Sequence, residues 1–177
     1  MKLVALEEHG RESALLGLSL SHRQAPERMG PVAQRLAFLG DGHNKFLEAI
    51  AVWLDIVAPR YFWQQFDTYR VGVTRQSEST MHTLTKRPLA QTDFAHPLPE
   101  AHLEYLNRLI AQGCWEETKW LLPESFLQRR IVSTNYLALQ RMVRQRAAHR
   151  LPEWREFIDL VLAAVEHPEY LKECESE

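Results

Sequence analysis

Ile50 to Val57, IAVWLDIV, constrains this chain more than any other stretch. β-Branched and aromatic residues dominate it, and these favour a strand. Pro59 interrupts the run and starts a predicted helix over Arg60–Phe66, where Tyr61, Phe62 and Trp63 crowd together. The apolar strand and aromatic helix form a scaffold for the polar stretch next in the chain, Asp67–His82, DTYRVGVTRQSESTMH. From Gly72 onward that stretch has no apolar period of 2 or 3.6, which predicts a polar loop rather than a core element. It carries Arg70, Arg75 and the run Ser77, Glu78, Ser79, Thr80. Arg, Gln, Ser and Thr side chains donate to phosphate or carboxylate oxygens, so the stretch suits an anionic ligand. A solvated connection would share the same composition.

The rest of the chain supplies alternating elements. Lys2–Leu6 reads as a short strand and Glu12–Leu20 as a helix with Ala14, Leu15 and Leu18 on one side. Gln24–Pro31 reads as a loop, Pro31–Leu39 as a helix with proline in its first turn, and Gly40-Asp41-Gly42 as its break. Prolines 88, 97 and 99 keep residues 86–99 irregular. Glu100–Gln112 has Leu103, Leu106, Leu109 and Ile110 at helical spacing and ends at Gly113. A short helix over Trp115–Leu122, a strand over Phe126–Thr134, an Asn135-capped helix to Arg146 and a last helix over Glu153–Glu166 complete the expectation. The tail from His167 is charged and is expected to fray. Strands and helices mix without a regular βαβ alternation, so the expected class is α+β, or mixed α/β, in one domain over residues 1–177.

Composition excludes several classes. A net charge of −2 over 177 residues gives no global nucleic-acid or membrane signal. No apolar run reaches transmembrane length, and the N-terminus shows no signal-peptide h-region. Cys114 and Cys174 form no metal-ligand pattern, so a reduced, cytoplasmic protein is the default. His22, His43, His82, His96 and His102 make no H-E-x-x-H set, and no metal is expected. G-x-S-x-G, Walker and G-x-G-x-x-G patterns are all lacking. Basic residues remain on two segments, Gln128-Arg129-Arg130 and the helix after Asn135. On that helix Arg141 and Arg144 share a face while Arg146 points elsewhere, which predicts that Arg146 turns inward. A basic solvated helix is the plainer reading, and an RNA-binding helix is disfavoured by the offsetting charge elsewhere.

Order and spacing resemble a known family, the flavin-dependent thymidylate synthases. One block is GHNKFLEAIAVWLDIVAPRYFWQQFDTYRVGVTRQSESTMH, residues 42–82. It resembles the family's G-H-E-x-x-x-E-H segment, strand, A-P turn, R-Q helix and R-H-R-x-x-S-x-N-E-x-S-x-R-Y motif, without a gap. A second block, KWLLPESFLQRRIVSTNYLALQRMVRQR, residues 119–146, resembles the R-x-x-L-P, strand, N-A-R-S-L and F-L-x-L-R series. His43, Glu48, Ala58, Pro59, Gln65, Arg70, Leu122, Pro123, Asn135, Leu139 and Arg146 match. Thr68 and Tyr69 replace the first two residues of R-H-R. Val73, Arg75, Gln76, Glu78, Thr80 and Met81 replace the serine, asparagine, acid, serine, arginine and tyrosine of the motif. Lys119 stands at a phosphate-binding arginine, and Leu137 replaces another arginine. Two arginine positions of the motif are thus neutral, which removes bidentate phosphate clamps.

The resemblance implies a central, mostly antiparallel sheet flanked by helices. It implies FAD as cofactor, reduced nicotinamide and methylene-tetrahydrofolate as co-substrates, and a dUMP-like pyrimidine nucleotide bound at subunit interfaces of a homotetramer. Arg146 is implied as the catalytic contact to the pyrimidine. Gln65, Ser77, Ser79 and Lys119 join it as substrate-binding residues, and His43, Arg70, Arg75 and Asn135 as flavin-binding residues. Two other outcomes share the scaffold: an enzyme that modifies the pyrimidine base differently, and a nucleotide-binding or interaction protein without turnover.

Overall fold

The computed structural model describes residues 1–173. Four strands form one sheet, β1 (Lys2–His9), β2 (Ala51–Pro59), β3 (Val73–Ser77) and β4 (Leu127–Asn135), in the order β1-β2-β4-β3. Every neighbouring pair is antiparallel. The helices in chain order are α1 (Arg11–His22), α2 (Gly30–Ala37), α3 (Arg60–Phe66), α4 (Thr80–Thr83), α5 (Glu100–Ala111), α6 (Trp115–Trp120), α7 (Tyr136–Arg146) and α8 (Pro152–Ala164). This is the expected α+β architecture.

The two-residue period of a strand sorts β2 into two faces. Val52, Leu54, Ile56 and Ala58 are fully buried beneath the helices. Trp53 on the opposite face is 37% exposed, and Val4 on β1, which pairs with Asp55 of that face, is 58% exposed. β1 is irregular between Ala5 and Glu7, where Leu6 has no partner in the ladder. That bulge shifts the phase, so that Glu8 lies opposite Val52 and joins the helix side.

The helix side holds the main core. α3 contributes Phe62, Trp63 and Phe66, all buried at one-turn spacing. Trp154 and Phe157 of α8 meet them, with Phe62 and Trp154 rings 4.8 Å apart and Phe66 and Phe157 rings 5.7 Å apart. α7 adds Leu139, Met142 and Val143, and α2 adds Ala33 and Ala37. A second, smaller apolar cluster joins Leu84, Leu89, Phe94, Leu103, Leu106 and Leu122 beneath α5.

Three expectations need correction. The polar stretch is not a loop throughout: Val73–Ser77 is an edge strand on β4, and Thr80–Thr83 is a helical turn. Only Val73 of β3 is buried, so the strand has no apolar alternation to read. Gln24–Pro31 contains a 3-10 turn at Pro26–Arg28, and α2 already begins at Gly30. The segment after His167 is anchored rather than frayed, because Tyr170 and Leu171 are buried. The buried amide of Gln140 donates to the carbonyls of both Ala37 and Tyr170, each at 2.8 Å. Cys174 lies outside the described residues.

Candidate functional site

Asn135 closes β4 and opens α7; its Oδ1 accepts from the backbone N–H of Ala138 at 2.9 Å, an N-cap. The helix then carries Arg146 in its last turn, half-buried, while Arg141 and Arg144 stay exposed as expected. Arg146 lies over the ring of Trp154, with Cζ 4.6 Å from the centroid. Its Nε donates to the phenol oxygen of Tyr69 at 2.9 Å, and the Tyr69 ring lies 5.5 Å from Cζ. Trp154 in turn donates Nε1–H to Oε1 of Gln65 at 2.8 Å. An indole N–H only donates, so it fixes Gln65 with its carbonyl toward Trp154 and its NH₂ turned away. Gln65 and Arg146, two residues expected to touch nucleotide, are therefore joined through one tryptophan. Among the described residues, neither Nη of Arg146 makes a hydrogen bond or ion pair.

A second arginine repeats the stacking with a different ending. Arg130 on β4 lies over the Trp63 ring at 4.5 Å. Its Nη1 donates to both carboxylate oxygens of Asp67, at 2.8 and 3.1 Å, and Nε and Nη2 donate to Oε1 of Gln128. Asp67 also takes Arg75, whose Nε lies 3.3 Å from its Oδ1 and whose Nη1 donates to the Tyr69 carbonyl. Arg130, Asp67 and Gln128 line a cavity of about 290 Å³ with Arg60, Gln64, Thr80, Lys119 and Leu122. Three cations against one carboxylate make that lining basic. Lys119 is half-buried there and makes no hydrogen bond among the described residues.

The remaining expected residues divide mainly between that cavity and the start of α7. Ser79 caps α4 with its backbone, accepting from His82 and Thr83, and Ser77 is exposed at the end of β3. Ser79 directly precedes Thr80 of the basic cavity, and Ser77 pairs with Arg130 across the sheet. Arg70 is exposed in the turn between α3 and β3, and Asn135 faces that turn. At Gly72, where φ is +70°, an added Cβ would stand 2.8 Å from Asn135 Nδ2. Only glycine permits this approach without strain. Arg70 and Asn135 thus belong to one neighbourhood around the turn at Gly72. His43 is exposed in the turn before β2 and stands apart from that neighbourhood in sequence and element. Arg75 is held by Asp67 and the Tyr69 carbonyl.

Sequence reasoning missed Tyr69, Trp154 and Arg130 as site-forming residues. Tyr69 was visible only as a substitution in a motif, and Trp154 lies outside both resembling blocks. Two carboxylates are also structural. Glu8 accepts from the Tyr136 phenol at 2.5 Å and from the backbone N–H of Glu166 at 3.0 Å. Burial, then the Glu8 carboxylate, holds the Tyr136 phenol well above its usual range. Glu8, Glu166 and His167 offer ligand atoms within 4.8 Å of one another, but Glu8 is already occupied in joining β1 to α7. Tyr61 donates to Glu153, and burial followed by that carboxylate raises its phenol likewise. The Tyr61–Glu153 and Gln65–Trp154 bonds together pin the first turn of α8 to α3.

Comparison with known proteins adds the fold. No family model matches the chain, and no curated protein does. Solved structures do match. The flavin-dependent thymidylate synthase ThyX from Helicobacter pylori, complexed with FAD and dUMP, superposes with a TM-score of 0.81 over 99% of this chain and 100% of its own, at 18% identity. A second structure of that enzyme, also with FAD and dUMP, gives a TM-score of 0.82 over 98% of this chain and 97% of its own, again at 18% identity. This chain has the flavin-dependent thymidylate synthase fold. The superposition runs nearly end to end, so it extends to α5 and α8, which the resembling sequence blocks leave out. No described helix is long and apolar enough to cross a membrane.

Proposed function

We propose that this protein is a divergent flavin-dependent thymidylate synthase-like enzyme, one cytoplasmic domain over residues 1–177. In this reading it binds FAD and a dUMP-like pyrimidine deoxynucleotide and transfers a one-carbon unit to the base. The observation that carries this is the Gln65–Trp154–Arg146 linkage. Two residues expected to contact nucleotide are held together within a fold whose solved relatives carry FAD and dUMP.

The open Nη pair of Arg146 would orient the pyrimidine and offset negative charge developing on it in the transition state. Gln65 would donate through its NH₂ group to a base carbonyl, since Trp154 occupies its oxygen. Lys119 would hold phosphate as a point charge in the basic cavity, with Ser77 and Ser79 at its margin. Arg70 and Asn135 would hold the flavin on the surface between the α3–β3 turn and α7, with His43 approaching from the turn before β2. A flavin held there would supply hydride chemistry, with reduced nicotinamide and methylene-tetrahydrofolate as the co-substrates of this reading. The exposed sheet face bearing Val4 and Trp53 supports assembly with further copies of the chain, a homotetramer in this reading.

One observation favours a second reading, a nucleotide-binding protein without turnover or one that modifies the base differently. Arg75 is turned back onto Asp67 instead of toward a ligand, while the Thr68 hydroxyl donates to the backbone carbonyl of Gln65. Absorption spectra of the purified protein with and without FAD and dUMP test the main reading. A flavin spectrum perturbed by dUMP, with dTMP formed when both co-substrates are added, supports it. Binding without product selects the second reading. A colourless protein that binds neither molecule overturns both.

A further inference from the structure

Arg146 is held by side chains that neither the motif resemblance nor the fold comparison assigns. Trp154 is fully buried, and its ring supports one face of the guanidinium at 4.6 Å. Tyr69 takes the Nε–H at 2.9 Å. The same phenol donates to Oε1 of Gln145 at 2.9 Å, and a carbonyl oxygen can only accept. That donation sends the phenol hydrogen away from Arg146 and leaves a lone pair facing its Nε–H. Trp154 cannot drift, because Gln65 anchors its indole N–H and the rings of Phe62 and Phe157 enclose it.

A guanidinium has a planar face and a fixed fork of N–H donors. Here the face lies on Trp154, the Nε donor is used, and the Nη donors are left over. No carboxylate pairs with Arg146 among the described residues, so its charge is uncompensated. We propose that Tyr69 and Trp154 are positioning residues that hold Arg146 as a preset fork, its two Nη groups aimed at a ligand with two adjacent acceptors, such as the edge of a pyrimidine base. The inference rests on the reading of Arg146 as a nucleotide contact. It adds that the tyrosine in place of the motif histidine gives this site a hydrogen-bond acceptor for Arg146. Preorganisation of this kind raises affinity by removing the ordering cost at binding.

The test uses the full chain and its Tyr69→Phe variant, which keeps the ring and removes only the oxygen. NMR reads solvent exchange of the Arg146 Nε–H, assigned by its loss in Arg146→Lys. Calorimetry with dUMP in the presence of FAD reads affinity, and thermal melting reads stability. Exchange is expected to be about tenfold faster and dUMP binding about tenfold weaker in Tyr69→Phe, with the melting temperature nearly unchanged. Gln145→Ala, at an exposed position, is expected to shift both in the same direction by about two- to fivefold, and it decides the matter if Tyr69→Phe does not fold. Unchanged exchange overturns the proposal, as does faster exchange with unchanged dUMP affinity. Faster exchange in the variant, combined with no dUMP binding by the unsubstituted protein, supports the clamp and overturns the nucleotide reading alone.

Discussion

Arg130 and Arg146 both lie on a tryptophan, at 4.5 and 4.6 Å, yet they end differently. Arg130 is saturated: its side chain is 14% exposed and every nitrogen donates to Asp67 or Gln128. Arg146 uses only Nε, on a neutral phenol. A buried or half-buried charge persists only when something compensates it. For Arg130 the protein supplies the compensation, so that arginine joins β4 to the end of α3. For Arg146 the compensation comes from the stacked ring and from solvent, or from a ligand. The same residue type on the same kind of platform is thus structural in one place and available in the other.

The largest effect should come from the platforms. Trp154→Ala is expected to cost about 3–5 kcal/mol in denaturant melts, because the ring is fully buried within the aromatic cluster. It should also remove the Gln65–Arg146 linkage, so nucleotide affinity falls with stability. Trp63→Ala should cost a similar amount. Equal dUMP binding by Trp154→Ala and the unsubstituted protein would break the contrast between the two platforms.

Next in size is the carboxylate that saturates Arg130. Asp67→Ala should destabilise by about 1–3 kcal/mol, less than a fully buried pair because Asp67 is 43% exposed. It releases both Arg130 and Arg75, and a second substitution, Arg130→Met, should recover part of the loss. No loss in Asp67→Ala would remove the structural role given to Arg130. Arg146→Ala should by contrast cost no more than about 1 kcal/mol of stability, the scale of a partly solvated stacking contact. Its effect should appear in nucleotide affinity, by about tenfold or more.

The smallest effect lies at the surface. Arg87 pairs with Asp93 through two bonds of 2.6 and 2.7 Å, and the Arg87 hydrogen bond holds the Asp93 carboxyl below its usual value. A depressed carboxyl pKa contributes stability that is present above the unfolded value of about 4 and is lost as pH falls through the lower folded value. Asp93→Asn should therefore flatten the acid limb of the stability profile by a few tenths of a kcal/mol, about what a pair with a solvent-exposed arginine is worth. A large change there would mean that exposed arginine pairs matter as much as Arg130.

The residues explain how far the sequence could be read. IAVWLDIV signalled its strand because β-branched and aromatic residues dominate it, and in β2 they bury one face beneath the helices. The helix Arg60–Phe66 and the Asn135 cap were legible because Pro59 and Asn135 act on their own neighbours. β3 was not legible: an edge strand with one buried residue leaves no periodic trace. The anchoring of Tyr170 depends on Gln140, thirty positions away in the chain, and local charge outweighed it. Arg146 was expected to turn inward from its helix face alone. Its neighbours there, Tyr69 and Trp154, come from two other elements and meet it through tertiary packing only. Lys119 likewise gained its neighbours Arg60 and Arg130 only on folding.

In the proposed reading Arg146 presents an open fork to a pyrimidine nucleotide, and Arg130 does not. Calorimetric titration of dUMP into the FAD-saturated protein, run beside Arg146→Ala, tests this contrast at its root. An open fork at Arg146 predicts saturable binding that the variant weakens about tenfold or more, at nearly unchanged melting temperature. Binding of equal strength by both proteins, or no binding by the unsubstituted one, would contradict it.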